Sequence, residues 1–257
     1  MPRSPEELRG LVEDCLEGLE LWPQLHGQAD SVRYSITVGG KRVRPVIVLA
    51  TAEAAGAVPE VALQAGCALE LVHTFSLVHD DLPSLDNDEE RRGQPSTWKQ
   101  YGEAVGILAG DALLAEAFRL ATSYDTPHVA RELALATLGM IGGQYLDITG
   151  TAPDEATLHN LKTGALFTAA VGLGLWVARV PRDDQTAWRV FGEELGLLFQ
   201  IVDDILDGDG YVARHGLEGA RRFADEAADR ARDRLGDVDA DTSVLREIVD
   251  SLAVRTA

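Results

Sequence analysis

The stretch Leu77–Gly93, LVHDDLPSLDNDEERRG, joins an apolar helix to a dense group of carboxylates. Apolar residues recur at helical spacing over 59–81 and again over 183–208, and both segments end in aspartates. Because both segments are apolar on most of their circumference, we expect them to be inner helices. A buried helix ends in paired carboxylates at low cost only beside a cation or a water-filled cavity. The alternative is a solvated acidic helix end, which is common in an acidic chain.

Helical apolar spacing runs from end to end of the chain, and strand signals are almost absent. The Ser4–Glu7 segment, SPEE, has the form of a capping box and predicts a helix that stops at Trp22-Pro23. Further helices are predicted around 44–56, 59–81, 102–123, 127–149, 153–179, 183–208, 217–236 and 242–254. The predicted fold class is all-α, with residues 1–257 forming a single domain built as a bundle of about nine helices.

Net charge and the lengths of apolar runs limit which classes of ligand and which cell compartment fit this chain. The net charge of −19 over 257 residues argues against nucleic-acid binding, because a phosphate backbone needs a basic surface. The longest apolar run, Gly164–Ala178, is shorter than the roughly 20 residues that span a bilayer. No charged leader precedes an apolar core at the N-terminus, so we expect a cytoplasmic protein with no integral membrane association. Cys15 and Cys67 are interpreted as small core residues, not as a disulfide or a metal pair.

Two groups of aspartates indicate a metal site. In FQIVDDILDGDG, Asp203 and Asp207 share a helix face with Asp204 alongside, and like charges at this spacing repel. The candidate metal ligands from both groups are Asp80, Asp81, Asp86, Asp203, Asp204 and Asp207. Oxygen ligands without His or Cys at zinc spacing favour magnesium, which bridges carboxylates to phosphates.

The basic residues of the chain indicate a binding site for phosphate groups. The chain has three lysines, and Lys41 lies in GGKRVRP (39–45), a glycine-rich entry to a helix. Backbone amides and cations at a helix start are typical of a diphosphate site, although a basic loop alone is more often solvated surface. Arg91-Arg92 follow the first aspartates directly, and Lys162 interrupts an apolar helix. We therefore expect a small phosphorylated ligand.

Six motifs then occur in a familiar order: GGKRVRP, LVHTFSLVHDDLPSLDNDEERRGQPS, GILAGD, GGQYLDI, LKTGALF and FQIVDDILD. Their order and spacing resemble the trans-isoprenyl diphosphate synthase family over roughly residues 35–210, and are most similar to the bacterial farnesyl diphosphate synthases. This resemblance implies an isoprenoid-synthase-type helical bundle around a central cavity that works as a homodimer. It also implies condensation of isopentenyl diphosphate with an allylic diphosphate, dimethylallyl or geranyl, to give farnesyl diphosphate and free diphosphate.

The resemblance also implies roles for the residues of this chain that match the family's motifs. The implied catalytic set is Asp80, Asp81, Asp86, Lys162, Thr163, Gln200 and Asp203, and the six aspartates named above would hold about three magnesium ions. Arg91 and Lys162 would bind the allylic diphosphate, with Thr163 and Gln200 near the reacting carbon. The isopentenyl diphosphate site is implied to contain Gly40, Lys41, Arg44, His73 and Arg92.

Product length is predicted from helical geometry. Ser76 lies four residues before Asp80, about 6 Å lower on the same helix face, and Phe75 lies one residue deeper. A bulky ring there is expected to act as the floor of the tail cavity. Together with the two extra residues Pro83-Ser84, it resembles the farnesyl-producing type, so a C15 product is favoured over C20. Plain core packing is the alternative role for Phe75.

The chain departs from the family after Asp207. The family carries a lysine-bearing flap there, whereas GDGYVARHGLEGARRFADEA leads almost directly into the next helix and no lysine follows Lys162. Either the protein lacks the flap or the printed sequence omits a mobile loop. Loss of cations and of water exclusion would slow the chemistry, which leaves open a non-catalytic or regulatory subunit. A terpene cyclase is a third alternative, disfavoured because cyclases lack the GGKR-type site.

Overall fold

The computed structural model describes residues 2–254, and helices make up nearly all of its regular structure. The helices are α1 Pro5–Glu17, α2 Gln28–Thr37, α3 Val43–Ala54, α4 Leu63–Asp80, α5 Thr97–Tyr101, α6 Glu103–Ala121, α7 Pro127–Thr149, α8 Glu155–His159, α9 Ala165–Val177, α10 Thr186–Asp207, α11 Gly210–Gly236 and α12 Ser243–Ala253. Two short antiparallel strands, β1 Glu90–Arg91 and β2 Gln94–Pro95, form the sheet of the described residues. The prediction of an all-α fold is confirmed.

Several predicted boundaries change for physical reasons. The capping box at Ser4 is present, but α1 ends at Glu17, before the predicted stop. The helix α2 was not predicted, because its buried face includes serines and so lacks an apolar period. Ser35 on that face shares a hydrogen bond of 2.9 Å with Thr97.

The predicted helix 153–179 is not regular. A π-helical turn, Asn160–Gly164, joins α8 to α9 without breaking the rod. Such turns admit one extra residue per turn and rotate the side chains that follow them. At the other end of the bundle, α11 begins at Gly210, seven residues earlier than predicted, and it is kinked at Gly216, where φ is +69°.

The centre of the bundle is formed by α4, α9 and α10, as the sequence predicted for the first and last of these. Leu69 and Leu71 of α4, Phe167 of α9 and Phe191 of α10 are fully buried in one continuous apolar core. The segment Pro59–Asp80 is long and apolar enough to span a membrane, but most of it is buried inside the bundle. It is therefore packed as a core helix.

Candidate active site

A cavity of about 930 Å³ opens at the charged ends of α4 and α10. The expected site residues that line it are Gly40, Lys41, Arg44, His73, Phe75, Ser76, Asp80, Arg91, Arg92, Lys162, Thr163 and Asp203. Five others lie outside the lining formed by the described residues: Asp81, Asp86, Gln200, Asp204 and Asp207. Residues far apart in sequence thus meet in one cavity, and one aspartate of each group faces it.

The first aspartate group is built by a loop that folds back on the end of α4. The backbone N–H of Asp86 donates to the carbonyl oxygen of Asp80 over 2.9 Å, which brings the two residues together. Burial raises the pKa of Asp80 to about 6; Lys162 opposes this shift, and the carboxylates of Asp86 and Asp81 add to it. Carboxylates held this close repel each other, and a cation between them would relieve that repulsion.

Arg91 on β1 is joined to the same group. Its guanidinium donates to Asp81 through two nitrogens, and its Nη2 lies 3.3 Å from Asp88 Oδ2. The hydrogen bond that Arg91 donates to Asp81 is the main cause that raises the pKa of Arg91. The arginine expected to hold an allylic diphosphate is therefore fixed beside the first aspartates.

In the second aspartate group, Asp203 and Asp204 point in different directions. Asp203 lines the cavity; burial and the neighbouring Asp207 raise its pKa, against Lys41 and Arg44. Asp204 is buried and does not lie alongside it as the sequence suggested.

Both carboxylate oxygens of Asp204 are bonded within the protein. Oδ1 accepts from Gln200 Nε2 over 2.6 Å, and Oδ2 accepts from the backbone N–H of Tyr211 over 2.9 Å. Asp204 thereby fastens the short connection between α10 and α11. Gln200, which was expected near the reacting carbon, has its amide nitrogen engaged in the same connection.

The basic loop is held by a buried ion pair. Arg42 has a left-handed backbone, with φ of +49°, at the start of α3. Its guanidinium donates to Glu70 Oε1 over 2.8 Å, to Glu13 Oε1 over 3.2 Å and to the carbonyl oxygen of Ile36 over 2.7 Å. We call Arg42, Glu70 and Glu13 the Arg42 tie. It anchors the loop from α1 and α4 and leaves Lys41 free to face the cavity.

Arg44 faces the cavity between two aromatic rings. Its Cζ lies 4.6 Å from the ring centre of Phe167 and 5.4 Å from that of Phe199. Burial lowers the pKa of Arg44 to about 10, against the attraction of Glu70 and Asp203. Its Nε is buried with no hydrogen-bond partner among the described residues, so it remains available as a donor. Phe199 was missed by the sequence reasoning; its only signal was its place before Gln200.

The turn between β1 and β2 places Arg92 beside the basic loop that contains Gly40. A Cβ on Gly40 would lie 2.7 Å from Arg92 Nη1, so only glycine lets the guanidinium approach this closely. His73 lies nearby on α4; burial first, then Arg44 and Arg92, lower its pKa well below its usual value. Gly40, Arg44, His73 and Arg92 therefore lie together on one side of the cavity.

The opposite cation is Lys162 in the π-helical turn. Its Nζ pairs with Asp147 of α7, and Thr163 beside it lines the cavity. The packing depends on Gly143, since a Cβ there would lie 2.6 Å from the Lys162 backbone nitrogen. Asp147 was missed, although the GGQYLDI motif that contains it was noted.

The remaining wall is largely apolar. Phe75 is buried and packs edge-on against His79, with ring centres 5.6 Å apart. Ser76 lies beside it and donates its hydroxyl to the His73 carbonyl oxygen. The helix α7 supplies side chains that the sequence reasoning did not assign: Met140, Ile141, Gln144, Tyr145 and Ile148.

The donor chemistry suits magnesium. In the described part of the chain, no three His, Cys, Asp or Glu side chains converge as a preformed metal cluster. The cavity instead offers carboxylate oxygens beside cations, with Asp80 and Asp203 both disfavoured as anions by burial. Magnesium binds through one or two carboxylates, water and substrate phosphates, so such a donor set fits it.

Comparisons with known proteins agree with this geometry. The chain is 36% identical over 259 residues to a farnesyl diphosphate synthase of Bacillus subtilis, with 88% of each chain covered. It is 44% identical over 194 residues to a geranylgeranyl diphosphate synthase of Cyanophora paradoxa, a match that spans 69% of this chain and 64% of that protein. A solved FPP/GFPP synthase from Zymomonas mobilis is 32% identical with a TM-score of 0.85, covering 96% of this chain and 98% of the other.

A sequence model of the polyprenyl synthetase family matches residues 28–217, which include both aspartate groups, the basic loop and Lys162. With that match, the cavity geometry and relatives that share more than a third of its residues, the chain belongs to the polyprenyl synthetase family.

Proposed function

We propose that this chain is a magnesium-dependent, short-chain prenyltransferase that condenses isopentenyl diphosphate with an allylic diphosphate to give farnesyl diphosphate. The observation that carries this proposal is the composition of the cavity at the ends of α4 and α10. Asp80 and Asp203 reach it from two helix ends, cations line it, and Phe75 lies in its apolar part. A ligand with a diphosphate head and a hydrocarbon tail matches this division of charge.

The cations divide into two sets, which supports binding of two diphosphates. Lys162 and Arg91 act electrostatically on Asp80, whereas Lys41 and Arg44 act on Asp203. In this assignment the first pair holds the allylic diphosphate. The second pair, with Gly40, His73 and Arg92, holds isopentenyl diphosphate.

Magnesium, when bound, supplies positive charge that stabilises the diphosphate as a leaving group. The proposed ligands for about three ions are Asp80, Asp81 and Asp86 from one group and Asp203 and Asp207 from the other. Asp204 contributes to the same site through its hydrogen bonds to Gln200 and Tyr211, which hold the end of α10 in place.

The protein's own groups then perform positioning and charge stabilisation. Lys162 and Arg91 neutralise the charge that grows on the departing diphosphate as the allylic C–O bond breaks. Thr163 presents an oxygen dipole to the cationic carbon, and a new C–C bond forms from the isopentenyl double bond. The proton lost from the isopentenyl carbon passes to the released diphosphate, so no side chain is needed as the base. The apolar wall keeps water from the cation.

The product is assigned as C15 because the ring of Phe75 occupies the wall below Asp80. A C20 product is the second candidate. It is favoured by the 44% identity to a protein named geranylgeranyl diphosphate synthase.

The working unit is assigned as a homodimer of one-domain chains in the cytoplasm. One continuous core includes residues of both α1 and α12, which supports a single domain. We define the α6–α7 face by its exposed large apolar side chains, which are Ile107, Leu108, Leu135, Leu138, Ile141, Tyr145 and Ile148. An apolar face of this kind usually marks a protein interface. A second copy is the occupant assigned to it because Ile141, Tyr145 and Ile148 also line the cavity, so a partner there would complete its wall.

The decisive experiment is a product assay. Purified protein is incubated with magnesium, radiolabelled isopentenyl diphosphate and either dimethylallyl or geranyl diphosphate, and the products are sized by chromatography. A labelled C15 product is expected, and Asp80→Asn is expected to lose at least 100-fold in rate, roughly the loss typical for one electrostatic group. Predominant C20 product would assign the second candidate instead.

Absence of any C15 or C20 product would sink the synthase assignment. Isothermal titration with geranyl diphosphate and magnesium then separates the remaining possibilities. Tight binding without turnover would identify a non-catalytic or regulatory subunit, in keeping with the missing lysine-bearing flap.

A further inference from the structure

The two cysteines of the chain meet between α1 and α4. The sulfur atoms of Cys15 and Cys67 lie 3.0 Å apart, and the Cys67 thiol donates to the Cys15 sulfur. Both are free thiols. Cys67 is fully buried, whereas Cys15 is half-buried and is the more accessible of the two. Sequence patterns do not predict this contact, because the two residues are 52 positions apart.

The pair lies next to the anchor of the basic loop. Cys67 precedes Glu70 by three residues on α4, and Cys15 follows Glu13 by two residues on α1. Glu70 and Glu13 are the two carboxylates of the Arg42 tie. The contact between α1 and α4 that joins the cysteines is thus the contact that holds the Gly39–Pro45 loop.

We propose that Cys15 and Cys67 form an oxidisable dithiol site whose closure to a disulfide fastens α1 to α4 beside the Arg42 tie. A disulfide bond is about 2.05 Å long, so the two sulfurs need to approach by about 1 Å from their present contact. Both residues lie within helices packed against each other, and no loop has to be displaced.

Oxidised glutathione, a small disulfide, can act as the oxidant that closes the Cys15–Cys67 disulfide. The hydrogen bond from Cys67 lowers the pKa of Cys15, which makes the more accessible sulfur the attacking thiolate. Cys15 attacks one sulfur of oxidised glutathione, and the first glutathione leaves as a thiolate. Cys67 then loses its proton and attacks the Cys15 sulfur of the mixed disulfide, releasing the second glutathione. The protein gives up two electrons and two protons, and oxidised glutathione becomes two reduced molecules.

Closure should stabilise the protein and its basic loop together. A cross-link that spans 52 residues restricts the unfolded chain, and for a domain of this size it raises the melting temperature by about 5–10 °C. Because α1 and α4 each supply a carboxylate to the Arg42 tie, opening of the loop should also become rarer.

The test treats the folded, full-length protein with oxidised glutathione and measures three quantities. Intact mass under non-reducing conditions is expected to fall by two hydrogens, which in a chain with two cysteines identifies the pair. The melting temperature is expected to rise. Trypsin cleavage after Lys41 is expected to slow several-fold relative to cleavage after Arg179, an exposed site between α9 and α10.

Cys15→Ser provides the matched control. Because serine is close to cysteine in size and Cys15 is only half-buried, the variant is expected to fold, and its melting temperature and Lys41 cleavage should not respond to the oxidant. The proposal is overturned if both thiols of the native protein stay alkylatable, if a glutathione adduct persists on Cys15, or if disulfides form only between chains. It is also overturned if the internal disulfide forms without a change in melting temperature or in cleavage after Lys41.

Discussion

Both cations assigned to the allylic diphosphate, Lys162 and Arg91, are already paired with carboxylates of the protein, and the two ion pairs differ in exposure. Lys162 and Asp147 are both well exposed, at 38% and 43%, so their pair contributes at most about 1 kcal/mol. Asp81 is only 3% exposed, and Arg91 reaches it with two nitrogens. A diphosphate can therefore take Lys162 from Asp147 easily, whereas Arg91 should bind it while remaining attached to Asp81.

The pH dependence of stability should report on His73. The pKa of His73 is lowered in the folded protein by burial and by nearby arginines, so below about pH 6.5 the unfolded chain binds a proton that the folded chain excludes. The free energy of unfolding should therefore fall as the pH falls, by up to about 1.4 kcal/mol per pH unit from this residue. Urea unfolding at pH 7.5, 6.5 and 5.5 measures this free energy at each pH. His73→Gln should lose this part of the slope, and parallel curves for the two proteins would contradict the assignment.

Phe75→Ala should lengthen the product. Phe75 lines the apolar part of the cavity, so removal of its ring should open space there for a longer tail. Chromatography of the products made from labelled isopentenyl diphosphate is the measurement, with C20 or longer chains expected. Phe75→Leu keeps most of the bulk and should retain the C15 product. An unchanged distribution for the alanine variant would leave Phe75 as a packing residue only.

Among the helices, the π-helical turn and the α10–α11 connection do most to shape the site. The periodic pattern of 153–179 predicts one regular helix, because a single extra residue per turn hardly disturbs the apolar period. Lys162 and Thr163 lie within this turn and line the cavity. The connection after Asp207 was recognised from the sequence as short. In this connection the Asp204 carboxylate accepts a hydrogen bond from the backbone N–H of Tyr211. The contact depends on a bend at Gly208 and Gly210, which helical spacing in the sequence does not predict.

Gly143→Ala tests the packing of α7 on the π-helical turn. The added methyl group would lie 2.6 Å and 2.9 Å from the backbone N and Cα of Lys162, and backbone atoms cannot move aside cheaply. Displacement of Lys162 by about 1 Å should reduce turnover by roughly 100-fold, which a steady-state assay measures. Gly142→Ala is the matched control, since nothing lies within 4 Å of its added methyl group. It should stabilise the helix by up to about 1 kcal/mol and keep activity. Equal activities of the two variants would refute the packing role.

For the whole molecule, the main unexplained surface is the α6–α7 face. Burial of apolar area is worth roughly 25 cal/mol per Å² before the entropy cost of association, so seven large exposed apolar side chains favour association. The acidic net charge of −19 opposes association through repulsion, yet only weakly at physiological ionic strength. These two terms are the basis for testing the proposed dimer at this face.

Leu138→Glu should break that dimer. Leu138 is 65% exposed, the most exposed side chain of the α6–α7 face, and a carboxylate there would be buried without a partner in the proposed interface. Light scattering after size-exclusion chromatography should change from dimer to monomer mass. Leu217→Glu adds the same charge on α11, outside the face, and should leave the dimer intact. A monomeric native protein, or a Leu138→Glu variant that still dimerises, would contradict the assignment.

The sequence by itself determined the helical class and the charged groups of the cavity, because both depend on local periodicity and on residue type. Helical spacing over 59–81 and 183–208 placed Asp80 and Asp203 at the ends of inner helices, and the rarity of lysine singled out Lys41 and Lys162. Only the tertiary structure decided which partners these groups have. Asp147 for Lys162, the ring of Phe199 for Arg44 and the contact of Cys15 with Cys67 all join residues from different helices. Such contacts depend on how the helices pack against one another, and a periodic pattern within one helix carries no information about that.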